Sequence, residues 1–313
     1  MMDFAAVTDE VYRLYREGGY QDGAALVARA RPLLPERDSR LTFWEACFRS
    51  MAGNPETAVE ILRDGTDRGL WWPEGMLADR DLDAARILAG WSEVVAASEA
   101  HEQARMAKRP SIRVRQGQGG TVLALHGAHA DPGEFADRWE ADVPAEWAVV
   151  TPVGSLPLPE GGWSWSHDTS PRVDDVMQQL SGIEIVRPVV VAGFSAGATL
   201  GIELVAGGFV DADCLVLISP YVPDSDDMVA LLDSLTRPVI LVYGSEDRET
   251  DMYESLSALV SEVVVAQGIG HRLPEDLSEI FDVGRRLAAI HLSSRSPAPG
   301  PWIPPESLPS EAT

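Results

Sequence analysis

The chain from about residue 111 onward alternates between two apolar patterns. Short runs of β-branched and other apolar residues, typical of buried strands, are followed by longer segments with apolar positions at helical spacing. The pattern predicts strands at residues 111–116, 121–125, 147–152, 188–192, 214–219, 238–243 and 262–266, and helices at 133–141, 172–180, 196–207, 226–235, 251–260 and 274–292. Strands alternating with helices predict an α/β domain whose mostly parallel sheet is flanked by helices.

The first 108 residues have a different pattern, which predicts helices throughout. Two segments, Gly19-Tyr20-x-x-x-Ala24 and Gly53-Asn54-x-x-x-Ala58, echo each other 34 residues apart. That spacing is the period of tetratricopeptide repeats, and the region resembles one or two degenerate units of that family. The alternative is a plain helical extension, because about three repeats are needed to bury a continuous repeat core.

Length and composition set the limits for domain organisation. A chain of 313 residues, 45% of them hydrophobic, is long enough for a large core and one or two domains. We expect an all-α tetratricopeptide-like domain over residues 1–108, an α/β domain over 109–292 and a Pro-rich disordered tail over 293–313. Cys47 and Cys214 lie in apolar patterns and are expected to be core residues without a disulfide.

The net charge limits the classes of partner, and the N-terminal sequence bears on the location of the protein. The net charge of −24 disfavours nucleic acids and anionic membrane surfaces, which carry the same sign. The N-terminus lacks the basic and apolar regions of a secretory signal, and no clean apolar stretch is long enough to span a bilayer. We therefore expect a cytoplasmic protein. Self-association or a protein partner is expected, if anywhere, through the helical domain.

The segment Pro188–Leu200, PVVVAGFSAGATL, carries the main chemical signal. An apolar run ends in Gly193, Ser195 and Gly197, and a helix-compatible segment follows, which predicts a strand, a sharp turn and a helix with serine at the apex. Small neighbours are needed because the strand and the helix approach closely at such a turn. The turn raises the Ser195 hydroxyl above the sheet, and the N–H of Ala196 is predicted to point into the same space.

A serine hydroxyl is a weak nucleophile at neutral pH and needs a base that an acid orients. His271 lies in a glycine-rich loop just after one predicted strand, and Asp247 follows another. The carboxyl ends of parallel strands meet at one edge of a sheet, so these groups are predicted to converge with Ser195. Neighbouring Glu246 and Asp251 are alternatives for the acid.

Residues from about 111 to 292 resemble the α/β-hydrolases, and among them the compact carboxylesterase, lysophospholipase and dienelactone-hydrolase-like members. The resemblance is carried by Leu125-His126-Gly127 after a strand, the turn at Ser195, Gly244-x-x-Asp247 and Gly270-His271. It implies catalysis by Ser195, His271 and Asp247 without a metal or cofactor. The residue after His-Gly in this family, here Ala128, donates a second N–H to the oxyanion beside that of Ala196. Small Ala196 stands where many carboxylesterases carry glutamine.

Three further features bear on the substrate site. The loop 158–168 contains Trp163 and Trp165 among flexible residues, and these rings either line an acyl or aromatic pocket or pack down on the domain. His126 is expected to be a structural histidine of the oxyanion loop. The interval between residues 219 and 238 has room for one helix and not for a large lid.

The sequence therefore predicts a serine hydrolase that cleaves a small carboxylic ester or thioester through an acyl-enzyme. Two alternatives stay open. A peptidase or amidase uses the same three side chains, and a non-enzymatic scaffold would bind a partner through the helical repeats.

Overall fold

The computed structural model of the chain describes residues 3–221 and 225–294, with the side chains of 225–228 outside the description. The described residues form two compact units. The first contains the residues up to Arg109 together with Pro157–Gly161, and the second contains Pro110–Leu156 and the residues from Gly162 onward. Residues 295–313 of the expected tail lie outside the described residues, and Ser293 and Ser294 end the last helix.

In the first unit, the described residues up to Arg109 form only helices and the turns between them. The helices are α1 Phe4–Arg16, α2 Tyr20–Ala30, α3 Asp38–Met51, α4 Pro55–Asp67, α5 Glu74–Leu77, α6 Asp83–Arg86 and α7 Trp91–Met106, with 3₁₀ turns at Arg31–Leu33, Pro35–Arg37 and Arg80–Leu82.

Helices α1 to α4 form two successive helical hairpins. Helix α2 begins after Gly19 and α4 after Asn54, so the two echoed segments each start the second helix of a hairpin. Helix α3 packs closely against α2, where a Cβ on Gly23 would lie 2.5 Å from the Phe48 ring. The hairpins agree with the predicted helical character, and their tetratricopeptide-like identity stays a prediction.

The second unit has an α/β architecture. Its elements are β1 Arg113–Arg115, β2 Thr121–Leu125, α8 Pro132–Asp142, β3 Ala148–Thr151, β4 Leu156–Pro157, β5 Trp163–Ser164, α9 Thr169–Leu180, β6 Val189–Phe194, α10 Ala196–Ala206, β7 Cys214–Ile218, α11 Ser225–Asp233, β8 Val239–Gly244, α12 Thr250–Leu256, β9 Glu262–Ala266 and α13 Ser278–Ser294.

Seven of these strands form one sheet in the order β1-β3-β2-β6-β7-β8-β9. All neighbouring strands are parallel except β1 and β3, which are antiparallel. Helices α9 to α12 contribute to the apolar core on one face, and α8 and α13 to that on the other. The predicted α/β class, with a mostly parallel sheet between helices, is confirmed.

Some details differ from the pattern-based prediction. The last helix begins at Ser278 rather than at residue 274, since Asp276 accepts the Ser278 N–H at 2.8 Å and so ends the preceding loop. The expected loop 158–168 contains the short strand β5. Cys47 and Cys214 are buried and free, as predicted. Among the described residues, no helix has the length and apolar character needed to cross a membrane.

The difference in burial between central and edge strands of the sheet gives a stability prediction. Val242 in β8 is 0% exposed, whereas Val263 in the edge strand β9 is 37% exposed. We expect Val242→Ala to lower the free energy of unfolding by about 2 kcal/mol, because it removes buried methyl groups and leaves a cavity. The matched change Val263→Ala should cost less than half as much. Urea denaturation midpoints check both, and equal losses would contradict the assigned burial.

Candidate active site

Ser195 occupies a strained turn between β6 and α10. Its backbone has φ 52° and ψ −119°, a conformation that side-chain-bearing residues adopt rarely. The Ser195 N–H donates to the Ile218 carbonyl at 2.9 Å, and the Ser195 carbonyl accepts from the Ala198 N–H at 2.9 Å. One bond joins the serine to the end of β7 and the other to the first turn of α10, so the turn is held from both sides.

The glycines on either side of Ser195 permit backbone contacts that no side chain allows. A Cβ on Gly197 would lie 2.2 Å from the Leu125 carbonyl oxygen, and one on Gly193 would lie 2.3 Å from the Gly197 carbonyl oxygen. The neighbouring atoms belong to the backbone and cannot rotate away. This is the physical reason for the small residues in the motif.

The structure brings Ser195, His271 and Asp247 into one hydrogen-bonded chain. His271 Nε2 lies 2.9 Å from Ser195 Oγ, and His271 Nδ1 lies 3.0 Å from Asp247 Oδ2. The Asp247 side chain is 1% exposed and that of His271 is 41% exposed. With the proton on Nδ1, the imidazole donates a hydrogen bond to the carboxylate, and unprotonated Nε2 accepts a hydrogen bond from the serine hydroxyl.

Asp247, rather than either neighbouring acid, contacts the histidine. Glu246 and Asp251 are exposed, while Asp247 is buried. The Glu249 N–H donates to Asp247 Oδ1 at 3.2 Å, and the Tyr253 hydroxyl lies 3.4 Å from Oδ2. These donors hold the carboxylate in place and partly satisfy its buried charge.

Tyr253 is a site residue that the sequence pattern did not reveal. It is fully buried in α12, and burial, followed by the Asp247 charge, raises the pKa of its phenol. The phenol therefore stays protonated and donates to the carboxylate. No local signal distinguishes this tyrosine from an ordinary core residue, because its contact with Asp247 depends on how α12 packs.

Backbone hydrogen bonds join the loops that carry the acid and the base. The Glu246 N–H donates to the Ile269 carbonyl at 2.9 Å, and the Gly268 N–H donates to Ser245 Oγ at 3.0 Å. The Phe194 ring, just before the serine, lies 5.5 Å from the His271 ring. Asp247 and His271 thus belong to one cross-linked pair of loops.

The two expected oxyanion donors follow neighbouring strands. Ala196 opens α10, and the first N–H groups of a helix have no partner within the helix. Ala128 is exposed and follows β2, which pairs with β6 so that Leu125 is opposite Gly193. Their part in catalysis stays a prediction.

His126 has the structural position that the sequence suggested. It is buried, its Nε2 accepts the Gly154 N–H at 2.9 Å, and its Nδ1 donates to the Gly127 carbonyl at 2.8 Å. The ring stacks on Trp165 with centroids 4.5 Å apart. One neutral imidazole therefore joins the loops after β2 and β3.

Trp163 and Trp165 are buried, and their rings present almost no surface. The Trp165 indole N–H donates to the His126 carbonyl at 2.7 Å. The backbone N–H of Trp163 donates to the Ala130 carbonyl at 3.0 Å. These contacts favour the packing alternative for both residues over direct contact with a substrate. Their predicted substrate-binding role stays untested.

Within the described ranges, no group of three or more His, Cys, Asp or Glu side chains is arranged to hold a metal ion.

No family model matches the chain, and no curated protein sequence matches it. Among solved structures, the chain is similar to an uncharacterized protein from Bacillus cereus ATCC 10987, at 18% identity and a TM-score of 0.47, covering 90% of this chain and 97% of that one. It is similar to acyl-protein thioesterase 2 from Zea mays, at 17% identity and a TM-score of 0.42, covering 56% and 98%. It is also similar to Est1E from Butyrivibrio proteoclasticus with ferulic acid bound, at 11% identity and a TM-score of 0.46, covering 59% and 96%.

The close backbone contact at the turn gives a prediction. Gly197→Ala should lower the free energy of unfolding by about 2 kcal/mol, because its Cβ overlaps the Leu125 carbonyl. Gly201→Ala is the matched control in the same helix, where the nearest atoms to a new Cβ are 3.4 Å away. It should be neutral or stabilising by up to about 1 kcal/mol. Thermal and urea unfolding of both variants measure the difference, and an unaffected Gly197→Ala protein would contradict the geometry.

Proposed function

We propose that the chain is a serine hydrolase of the α/β-hydrolase fold that cleaves a carboxylic ester or thioester through an acyl-enzyme. The observation that carries the proposal is the Ser195 Oγ–His271 Nε2–Asp247 Oδ2 chain, with separations of 2.9 and 3.0 Å between His271 and its two partners. Its members lie at the carboxyl ends of β6, β8 and β9, the edge at which parallel sheets carry their sites.

The burial of each group suits its role in the reaction. Ser195 Oγ attacks the carbonyl carbon while His271 Nε2 accepts the hydroxyl proton. Buried Asp247 stabilises the imidazolium that forms and holds the ring in the required tautomer. His271 then gives the proton to the leaving group, which departs and leaves the acyl group on Ser195. A water molecule deprotonated by His271 attacks that ester and regenerates the serine.

The negative charge that develops on the carbonyl oxygen needs fixed donors. The N–H of Ala196 at the start of α10 is the first, and the N–H of Ala128 in the loop after β2 is the second. Removal of one such donor in a serine hydrolase costs roughly 100-fold to 1,000-fold in kcat. The positive end of the α10 dipole favours the same charge.

A small, uncharged acyl substrate fits the proposal better than a polyanion, because the chain carries a net charge of −24. Esters and thioesters are favoured by the sequence resemblance. A peptidase would use the same proton transfers, so an amide substrate must be compared with the ester and the thioester.

The proposed reaction predicts covalent labelling of one serine. The full chain should react with a fluorophosphonate probe, and Ser195→Ala and His271→Ala should abolish labelling, because the first removes the nucleophile and the second its base. Both variants should lower kcat/KM on p-nitrophenyl butyrate by about 10,000-fold or more. Intact-mass spectrometry reads the labelling and absorbance reads the hydrolysis.

Matched controls separate the chemistry from damage to the fold. Ser255→Ala and His291→Ala change the same residue types outside the hydrogen-bonded chain and should retain labelling. Retained labelling in Ser195→Ala would overturn the proposal. Turnover of a p-nitroanilide in preference to both the ester and a thioester would make the protein an amidase instead.

Tyr253 is proposed to position Asp247. Tyr253→Phe removes the donor 3.4 Å from Oδ2 and should lower kcat about threefold to tenfold, as expected for the loss of about 1 kcal/mol of hydrogen bonding, with KM unchanged. The matched control is Tyr243→Phe, since that ring is also buried and lies 5.1 Å from the Tyr253 ring. Equal kinetic effects of the two changes would mean that Tyr253 acts only through packing.

A further inference from the structure

The first unit contains a cavity of about 250 Å³ that the proposed hydrolysis does not use. Helices α1 and α3 form its walls, and the turn Arg80–Leu82 with the residue before it contributes an acidic rim. Five aromatic residues line it together with Asp79 and Asp81, and they are Tyr12, Tyr15, Phe43, Trp44 and Phe48. Aromatic faces and carboxylates together are an unusual lining for a plain packing defect, which is normally apolar.

The aromatic side chains are left accessible on the surface of α1. Tyr12 is 57% exposed and Tyr15 is 44% exposed, whereas the helix buries its aliphatic residues Val7, Val11 and Leu14. The Tyr12 and Trp44 rings meet edge to face, with centroids 6.3 Å apart. Such rings offer the negative potential of their faces to a cation, and the attraction grows when the site is partly shielded from water.

The carboxylates at the rim add a charge that the protein does not neutralise by pairing. Among the described residues, no ion pair joins Asp79 or Asp81 to a cation, and exposed Arg80 offsets the charge of Asp81 only in part. The Asp79 carboxylate accepts the Asp81 N–H at 3.0 Å. The Tyr15 hydroxyl donates to Asp81 Oδ1 at 3.2 Å, which orients that carboxylate beside the aromatic wall.

The negative field extends into the cavity. Burial and the charge of Asp79 raise the pKa of Asp81, and the charge of Asp81 in turn raises the pKa of Tyr15. Burial chiefly, with a contribution from both carboxylates, raises the pKa of Cys47, which also lines the cavity. A bound cation would relieve the repulsion between the two carboxylates.

We propose that this cavity binds the head group of an organic cation, an ammonium or guanidinium group on a short apolar stem. The volume is below the roughly 300–1,000 Å³ of sites that enclose a whole drug-sized ligand, so it suits one head group. An inorganic divalent ion fits poorly, because magnesium and calcium need about six oxygen ligands, whereas the lining offers two carboxylates and two phenols among apolar side chains. The head group belongs either to a free amine or to a basic side chain of a peptide, and both present the same chemistry.

Calorimetric titration of the full chain tests the charge requirement. Choline is the first probe, and 3,3-dimethylbutan-1-ol is its neutral counterpart of nearly the same shape. We expect one choline to bind with an affinity at least about tenfold higher than that of the alcohol, because only the cation gains from the rings and the carboxylates. Butylguanidinium and acetyl-Gly-Lys-Gly-amide test the other head groups and the peptide source. Equal binding of choline and the alcohol, or no binding of any of the cations, would overturn the proposal.

Two variants test the assigned residues. Asp81→Asn removes one charge and Tyr12→Leu removes one ring face while keeping an apolar side chain, and each should weaken cation binding at least fivefold. Glu60→Gln is the matched control, since Glu60 is exposed in α4 and does not line the cavity. Circular dichroism verifies that each variant is folded. Unchanged affinity in both test variants would place the bound cation elsewhere.

The proposed cation site is independent of the proposed hydrolysis, and one more variant distinguishes the cavity from the serine site. Ser195→Ala should bind choline with the affinity of the wild type, because the serine is not part of this cavity. Loss of choline binding in Ser195→Ala would assign the cation to the serine site and would overturn the present proposal while leaving the hydrolase intact.

Discussion

The close approach of backbone to backbone at the Ser195 turn is the constraint on which the rest of the site depends. Gly197 passes so near the Leu125 carbonyl that a methyl group would lie 2.2 Å from it. This contact sets where α10 begins, and therefore where the Ala196 N–H lies. Hydrogen bonds from β7 and α10 offset the strained dihedral angles of Ser195, since they hold its N–H and its carbonyl. A rigid turn of this kind positions a hydroxyl without relying on side-chain packing.

The acid and the base are held by a different means. Asp247 and His271 lie on loops that share backbone hydrogen bonds, so the two loops are coupled where they leave β8 and β9. Burial falls along the chain of side chains, from 1% exposure of the Asp247 side chain to 41% of that of His271. The Asp247 charge is therefore kept in the interior, where its donors are fixed, while His271, the proposed proton carrier, is open to the surface.

The two units use different physical chemistry. The α/β unit presents hydrogen-bond donors and acceptors that are fixed by strand ends and one helix start, which suits the stabilisation of charge that develops during a reaction. The helical unit presents aromatic side chains and two carboxylates without ion pairs around a small cavity, which suits the charge of the proposed cationic ligand. The first arrangement favours catalysis and the second favours recognition.

The sequence by itself determined the seven strands of the main sheet and the flanking helices to within a few residues, the turn at Ser195 and the chain order of Ser195, Asp247 and His271. These features are encoded locally, by apolar periodicity and by glycines that permit the close backbone contacts of the turn. Only the tertiary structure distinguished Asp247 from Glu246, placed Tyr253 beside it and buried Trp163 and Trp165. It also brought α1, α3 and the Arg80–Leu82 turn around one cavity. Contacts of this second kind join residues far apart in the chain, and they depend on how helices and loops pack laterally, which no local pattern specifies.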